Sequence, residues 1–260
     1  MIKFFRRVRQ RLLTDNKFSK YLIYAIGEII LVVIGILLAL SLNNWKEDLA
    51  NQGEEERILS GLKQEFEINL AEIIRNIKLN TGTKESTIAL ILQIRSEDPF
   101  ANSRYIDSLL NEVYMFGSFD AQTGLVNEVI SSGKLSIIRD SELRDRLTAV
   151  SGLLDNLEED YVIRSDYYMY HIIPYTSKYF SLVNQNNFMD FSSWSDTYET
   201  FKLNESPFKP KYEEIDLLLF ENLIATHKLN NDFVNLDEYD LKKFYMQTLE
   251  IINANLESEK

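Results

Sequence analysis

Glu28 is the one charged residue in the apolar segment Tyr21–Leu42, and a carboxyl group in that setting could do chemistry. Ionisable groups inside a bilayer are costly, and they often contact a partner or lie on a functional path. Glu28 follows Lys20 by eight residues. Two interpretations stay open: Glu28 lies at the inner membrane boundary, within reach of lipid headgroups or Lys20, or it contacts a partner inside the bilayer.

Four tyrosines and one histidine crowd the segment 167–175, and side chains of this kind can line a ligand pocket. The candidates for such a pocket are Tyr167, Tyr170, His171 and Tyr175. The alternative is that they form the packed edge of an amphipathic core, where aromatic rings contribute large buried areas.

The segment Ser132-Gly133-Lys134 has part of the pattern of a phosphate-binding loop. That loop needs a glycine five positions before Gly133 and a serine or threonine after Lys134. Glu128 and Leu135 occupy those positions, so the segment predicts a helix that ends at Gly133 instead.

Other catalytic and metal-binding patterns are missing from the sequence. His171 and His227 lie 56 residues apart without helical metal-ligand spacing, and there is no cysteine. Runs of carboxylates such as 158–160 carry little information in so acidic a chain. The sequence therefore predicts no catalytic residue, no metal site and no cofactor.

The charge of the chain divides sharply at the apolar segment. Residues 1–45 hold seven Lys/Arg and two acidic residues, which gives a net charge of +5. Residues 46–260 hold 21 Lys/Arg and 38 acidic residues, which gives a net charge of −17. Short segments rich in Lys and Arg stay in the cytoplasm. We therefore expect residues 1–20 inside the cell and residues 46–260 outside. The strongly negative charge of residues 46–260 also argues against nucleic-acid binding, because contacts to phosphates need clustered Lys and Arg side chains.

The segment Tyr21–Leu42 is long enough to cross a bilayer as a helix, which takes about 20 apolar residues. A cleaved signal peptide is the alternative, but its apolar region is about 7–15 residues long. We therefore expect an uncleaved transmembrane helix over residues 21–45. Gly35 and Ala39 form a small-residue pair that could pack against another helix, and Trp45 is placed as an interfacial anchor.

The arm at residues 1–20 has the pattern of an amphipathic helix that lies on anionic lipid headgroups. Its apolar residues recur at helical spacing between four arginines. They are Phe4, Phe5, Val8, Leu12 and Leu13.

The outer part, residues 46–260, predicts an all-α fold: a helical bundle continuing from the transmembrane helix. Two apolar stripes recur every 3.6 residues on average, as a helix packed on a globular core requires. A two-stranded coiled coil would average 3.5 residues, and its apolar positions would fall on Asn69 and Asn76. The stripes comprise Leu59, Leu62, Phe66, Leu70, Ile73 and Ile77, and then Leu143, Leu147, Val150, Leu154, Leu157 and Tyr161.

Local signals divide the outer part into helices. Thr81-Gly82-Thr83 predicts a break, followed by a helix over Lys84–Arg95. Asn102 or Ser103 and Asp140 are helix-starting residues, and Pro174 predicts the end of the helix that begins after Asp140. We expect residues 175–212 to form either an irregular excursion or short helices, packed down by aromatic residues. Residues 213–258 fit either one helix or two. The remaining helices are placed at Ser103–Phe116 and Gln122–Ser132.

Five stretches resemble a family of bacterial membrane proteins, the domain-of-unknown-function family 6090. They are NKFSKYL (16–22), YAIGEIILVVIGI (24–36), SLNNW (41–45), SSGKLSII (131–138) and Leu143-Arg144. The resemblance implies an inner-membrane anchor with a periplasmic helical domain in a Gram-negative cell, and it places Glu28 within the family pattern. It implies no activity.

Two functional hypotheses follow. The first is a non-enzymatic envelope protein whose periplasmic domain binds a partner protein or senses a ligand. The second is a membrane-tethered hydrolase that acts on envelope material with carboxylates and His171. A deep cleft that joins His171 to carboxylates and tyrosines would favour the hydrolase.

Overall fold

The computed structural model describes residues 18–191, 197, 199 and 202–258, and every structural statement below concerns that part of the chain. The amphipathic pattern at Phe4–Leu13 lies outside the described residues, as do the aromatic residues Trp194, Tyr198 and Phe201. The described chain is all-α, as the sequence predicts: a long apolar N-terminal helix is followed by further helices.

Helix α1 begins at Phe18 and ends at Ile94. It contains one segment near the N-terminus that is long and apolar enough to cross a membrane, and none of that segment is buried by the protein itself. Leucine and isoleucine side chains left uncovered in this way are stable in lipid but unfavourable in water. The predicted membrane helix therefore has the length and the exposure that a bilayer requires.

The other helices are shorter, apart from the last. They are α2 (Ser103–Tyr114), α3 (Gly124–Ser131), α4 (Ser141–Tyr167), α5 (Ile173–Tyr179), α6 (Leu182–Asn186) and α7 (Leu217–Ser258). Short 3-10 turns cover Lys134–Ile137 and Tyr212–Glu214, and a π-helical turn covers Tyr168–Ile172. The chain divides into two compact units, residues 1–57 and 58–260.

The main core of the second unit lies among α1, α4 and α7. Both predicted apolar stripes are buried there, with Leu70 and Leu154 partly covered at its edge. Phe66 contacts Tyr245 of α7 edge to face, with ring centroids 5.2 Å apart. The prediction that the stripe on α1 packs into a bundle is confirmed.

A second, aromatic-rich core lies beside α2. Ile106, Leu110 and Val113 of α2 are buried against Phe180 and Phe220. Tyr175 stacks on Phe220 with centroids 5.6 Å apart, and Phe100 stacks on Tyr212 at 4.6 Å. Stacked and tilted rings of this kind add to the stability gained from burial.

The predicted break at Thr81-Gly82-Thr83 is wrong, because α1 continues through it to Ile94. The Thr83 hydroxyl donates to the Met115 carbonyl at 2.6 Å, which ties this turn of α1 to the chain after α2. One glycine in a helix costs only about 1 kcal/mol, and tertiary contacts outweigh that cost. The open question over residues 213–258 is also answered, since α7 is one helix.

The capping predictions are confirmed. Asn102 accepts a hydrogen bond from the Tyr105 amide at 3.0 Å, and Asp140 accepts one from the Leu143 amide at 2.9 Å. Gly133 follows the end of α3 with a φ of 76°, the left-handed conformation that glycine adopts without strain.

The predicted helix end before Pro174 is wrong. The helical path passes through Pro174, and the π-helical turn Tyr168–Ile172 precedes it. In that turn the Ile173 amide donates to the Tyr168 carbonyl, five residues back. The wider turn makes room for a proline ring that would clash in a regular α-helix.

Candidate functional site

A network of polar side chains is buried where α1, α4 and α7 meet. Its two charged members are Arg164 on α4, which is 1% exposed, and Glu238 on α7, which is 0% exposed. Charges so deeply buried are stable only when hydrogen bonds and opposite charges replace their water.

The Arg164 guanidinium donates to three oxygens from three parts of the chain. Nη1 donates to Oδ1 of Asn80 at 3.0 Å and to Oδ1 of Asn231 at 2.9 Å, while Nη2 donates to the Gly117 carbonyl at 2.6 Å. The cation also lies 4.5 Å from the centroid of the Phe116 ring. Burial still lowers the pKa of Arg164 to about 10, so the group stays charged at neutral pH.

The Glu238 carboxylate accepts three hydrogen bonds at one oxygen. Oε1 receives them from Asn76 at 3.0 Å, Asn80 at 2.7 Å and the Tyr161 hydroxyl at 2.8 Å. Burial raises the pKa of Glu238 to about 7, although these donors and Arg164 act in the opposite direction. Glu238 is therefore a buried acid that changes its charge near neutral pH.

Asn80 is the bridge between the two charges, because its amide nitrogen donates to Glu238 while its oxygen accepts from Arg164. Its oxygen also accepts from the Gly117 amide at 3.2 Å. The network thus ties α1, α4 and α7 to the segment that follows α2, and it fixes their relative positions.

A surface depression of about 310 Å³ opens beside this network. Arg164, Tyr161 and Phe116 line it, and Asp120 and Glu158 add two carboxylates. The depression therefore combines a buried cation with an acidic edge. Chemically, such a lining suits a small polar group or a side chain of a partner.

An exposed apolar surface runs along α7, and we call it the α7 stripe. Its members recur at helical spacing on one side of the helix and stay largely uncovered, with Leu236 58% exposed. They are Leu218, Leu229, Phe233 and Leu236. Exposed apolar side chains concentrated on one side of a helix mark a place where another macromolecule binds.

The residues predicted for membrane or partner contact all lie on α1. Glu28 lies in a shallow groove with Ala25, Ile29, Val32 and Val33. Gly35 has open space around it, Ala39 is exposed and Trp45 is 63% exposed. These surfaces are open to lipid or to another helix, and the contacts of the four residues stay predictions.

The residues predicted to line a pocket are divided between core and solvent. Tyr167 and Tyr175 pack against the second core, and their hydroxyls donate to the carbonyls of Leu223 and Asp216. Tyr170 and His171 face solvent, with Tyr170 71% exposed. Tyr167 and His171 do touch, with ring centroids 4.9 Å apart. None of the four lines the depression beside Arg164.

The sequence analysis missed Asn80, Arg164, Asn231 and Glu238. One signal was present: Asn76 and Asn80 interrupt the apolar face of α1, one helical turn apart. His227, Asn231 and Glu238 likewise fall on the buried face of α7. Polar residues on the face that should be apolar predict a buried hydrogen-bonding network.

Across the described residues, no group of three or more histidine, aspartate or glutamate side chains is arranged to hold a metal ion. His227 is buried with Nε2 3.2 Å from the Val113 carbonyl, and burial lowers its pKa to about 4. It is therefore a neutral core histidine at physiological pH.

Comparison with known proteins identifies the family but supplies no activity. The model of a family of unknown function (DUF6090) matches residues 28–186. That match includes Glu28 and Arg164, whereas α7 with Glu238 and the α7 stripe lies outside it. No curated protein and no solved structure matches the chain. The match covers more than half of the sequence, and the chain belongs to the DUF6090 family of unknown function.

Proposed function

We propose that this is a single-pass inner-membrane protein whose periplasmic helical domain binds a partner protein of the cell envelope. The α7 stripe is the observation that carries the proposal. It supplies the contact surface, and the membrane helix keeps that surface within the envelope.

The proposed location rests on the charge asymmetry about the apolar segment of α1. Residues 1–45 carry a net charge of +5 and residues 46–260 a net charge of −17. Cations that flank a span stay on the cytoplasmic side. In the proposed arrangement, the basic arm lies on the anionic headgroups of the inner leaflet, and the bundle lies in the periplasm.

The proposed contact uses the apolar side chains of the α7 stripe. Leu218 and Leu236 are 18 positions apart, and a helix rises about 1.5 Å per residue, so the two ends of the stripe lie about 27 Å apart. Exposed Asn222 and Ala225 lie between Leu218 and Leu229. Apolar side chains on one side of a helix suit an amphipathic helix or an apolar groove on the partner. Because the domain is strongly acidic, we expect basic residues around the apolar contact on the partner.

Site-specific photo-cross-linking in cells tests this proposal. A photo-reactive residue is placed at Leu236 in the α7 stripe, and in the control at Ile163 on α4, which is 48% exposed. We expect Leu236 to form a covalent adduct with a second protein and Ile163 to form none. Leu229→Glu should reduce the Leu236 adduct by about 10-fold or more, since burying a leucine contributes roughly 1.5–3 kcal/mol.

Three results would contradict the proposal. One is equal adduct formation at Leu236 and Ile163, and another is no adduct at Leu236. The third is an adduct with only twice the mass of the chain, which would indicate self-association. Far-UV circular dichroism shows whether Leu229→Glu is still folded. If it is, a loss of adduct is due to the lost contact and not to unfolding.

A further inference from the structure

The chain that joins α2 to α3, residues 115–123 of the described part, contains no helix, turn or bend. Its exposure alternates along the sequence: Gly117 and Phe119 are buried, whereas Ser118 and Asp120 are exposed. Alternation with a period of two residues is the pattern of an extended strand that lies with one face on a core. We call residues 115–123 the extended segment.

Side chains of the bundle hold alternate residues of the extended segment by their main-chain groups. Four such groups, on Met115, Gly117 and Phe119, form hydrogen bonds of 2.6 to 3.2 Å with side chains of α1 and α4. One edge of the extended segment is therefore satisfied by the fold itself. The side chains that bind this edge are Asn80 and Thr83 of α1 and Tyr161 and Arg164 of α4.

The main-chain groups of the intervening residues lie on the opposite edge, because successive N–H and C=O groups of an extended chain point in opposite directions. Within the described part of the chain, the main-chain groups of Phe116, Ser118 and Asp120 form no hydrogen bond. We call these groups the free edge. An unpaired edge of this kind can add another extended chain through main-chain hydrogen bonds.

The depression of about 310 Å³ beside Arg164 adjoins the free edge, because Phe116, Ser118 and Asp120 are among the residues that line it. Helix α4 contributes further exposed side chains to its lining. An extended peptide paired with the free edge would therefore place side chains in the depression. The exposed lining residues of α4 are Glu158, Val162 and Ser165.

The charge that a ligand meets in this depression is negative. Asp120 and Glu158 are exposed, and neither forms an ion pair with another described side chain. Arg164 also lines the depression, but it is only 1% exposed and its Nη atoms are bonded within the protein. Residues 46–260 as a whole carry a net charge of −17. Charge complementarity therefore favours a basic ligand.

We propose that the free edge binds an extended, basic peptide segment of a partner protein as an added β-strand. The main-chain groups of Ser118 and Asp120 pair with those of the peptide. A lysine or arginine side chain of the peptide enters the depression and faces Asp120 and Glu158. This contact uses the extended segment and α4, so it is separate from the α7 stripe and does not rest on it.

The test is fluorescence anisotropy with the full chain in an uncharged detergent at pH 7.5 and low ionic strength. The probe is a fluorescein-labelled octapeptide of alternating threonine and lysine, whose lysines share one face when it is extended. We expect saturable binding. A threonine–glutamate octapeptide should bind about 10-fold more weakly or not at all, because its charge is reversed. The threonine–lysine octapeptide with methylated main-chain nitrogens should bind about 10-fold more weakly, because it cannot donate main-chain hydrogen bonds.

Variants of the protein locate the binding site. Ser118→Pro removes an N–H that the fold does not use and should weaken binding of the threonine–lysine peptide by about 10-fold. Ser118→Ala keeps this N–H and should bind as wild type does. Asp120→Asn should weaken binding by about 3-fold or more, whereas Asp145→Asn, an exposed change elsewhere on α4, should not. Melting temperatures check the folding of each variant, and the methylated peptide tests the same hydrogen bonds if Ser118→Pro fails to fold.

Three results would overturn the proposal. The first is the absence of saturable binding of the threonine–lysine peptide. The second is equal affinity for the methylated peptide, because attraction between charges alone would then explain the binding. The third is binding that neither Ser118→Pro nor Asp120→Asn weakens in folded protein, because the peptide would then bind elsewhere. None of these results bears on the α7 stripe, which has its own test.

Discussion

Glu238 combines full burial with a pKa near neutrality, and it does so inside a network that also holds Arg164. One carboxylate oxygen accepts three hydrogen bonds while the other, Oε2, has no partner. Adding a proton at Oε2 keeps all three hydrogen bonds and removes a buried charge. Ionisation of Glu238 is therefore less favourable in the folded protein than in the unfolded chain.

The first prediction concerns the effect of pH on stability. The pKa of Glu238 is raised in the folded state, to about 7 from 4.5, so the folded protein binds a proton that the unfolded chain releases. Stability from this group is thus present at low pH and is lost as pH rises towards and through 7. We expect Glu238→Gln, which stays neutral, to lack this loss.

Chemical denaturation of wild type and Glu238→Gln at pH 6.5 and 8 measures the effect. Between these values the free energy of unfolding of wild type should fall by about 1 kcal/mol relative to the variant. His227 and Asp107 titrate alike in both proteins, so their contributions cancel in the difference. Glu250→Gln, an exposed change on the same helix, is the control. Parallel profiles for wild type and Glu238→Gln would refute the assignment.

At the scale of the element, two glycines have opposite surroundings. A Cβ at Gly82, within α1, would meet no atom within 4 Å. A Cβ at Gly117 would overlap Oδ1 of Asn76, whose amide nitrogen donates to both Glu238 and Tyr161. Gly82 therefore destabilises α1 locally, whereas Gly117 allows the chain after α2 to approach the buried network closely.

The second prediction follows from this difference. Gly82→Ala should raise the free energy of unfolding by about 0.5–1 kcal/mol, because alanine restricts the unfolded chain and suits a helix. Gly117→Ala should lower it by about 1–3 kcal/mol, because Asn76 must move and its hydrogen bonds weaken. Denaturant titration measures both changes. A destabilising Gly82→Ala would mean that α1 needs glycine there.

For the whole molecule, the charge distribution carries the proposed orientation. The Lys and Arg residues of the first 45 positions precede the apolar segment, and the excess of Asp and Glu residues follows it. In the proposed topology, this asymmetry acts during insertion and retains the basic flank on the cytoplasmic side.

The third prediction tests that orientation with reporters fused after Lys260. Alkaline phosphatase, which is active only outside the cytoplasm, should be active there, and a fluorescent protein that needs the cytoplasm to fold should be dark. Replacing Arg6, Arg7, Arg9 and Arg11 with glutamate should reduce phosphatase activity, since it removes the retained charge. A bright fluorescent fusion with inactive phosphatase would reverse the proposed topology.

Much of the architecture followed from the sequence alone, because its causes are local. The apolar segment of α1, the 3.6-residue stripes through Phe66 and Leu147 and the cap at Asp140 each depend on neighbours within a few residues. These patterns predicted an all-α protein with one candidate membrane helix, and the structure confirms both features.

Only the tertiary structure determined the features that depend on contacts between residues far apart in the sequence. Helix α1 continues past Gly82 because Thr83 bonds to Met115, 32 residues away. The buried network forms because Asn76 meets Glu238 across 162 residues and Asn80 meets Arg164 across 84. A local pattern shows that a polar residue falls on an apolar face, but not which residue will satisfy it. Packing α1, α4 and α7 together selects the partners, since a buried polar group must find its hydrogen bond wherever the fold places one.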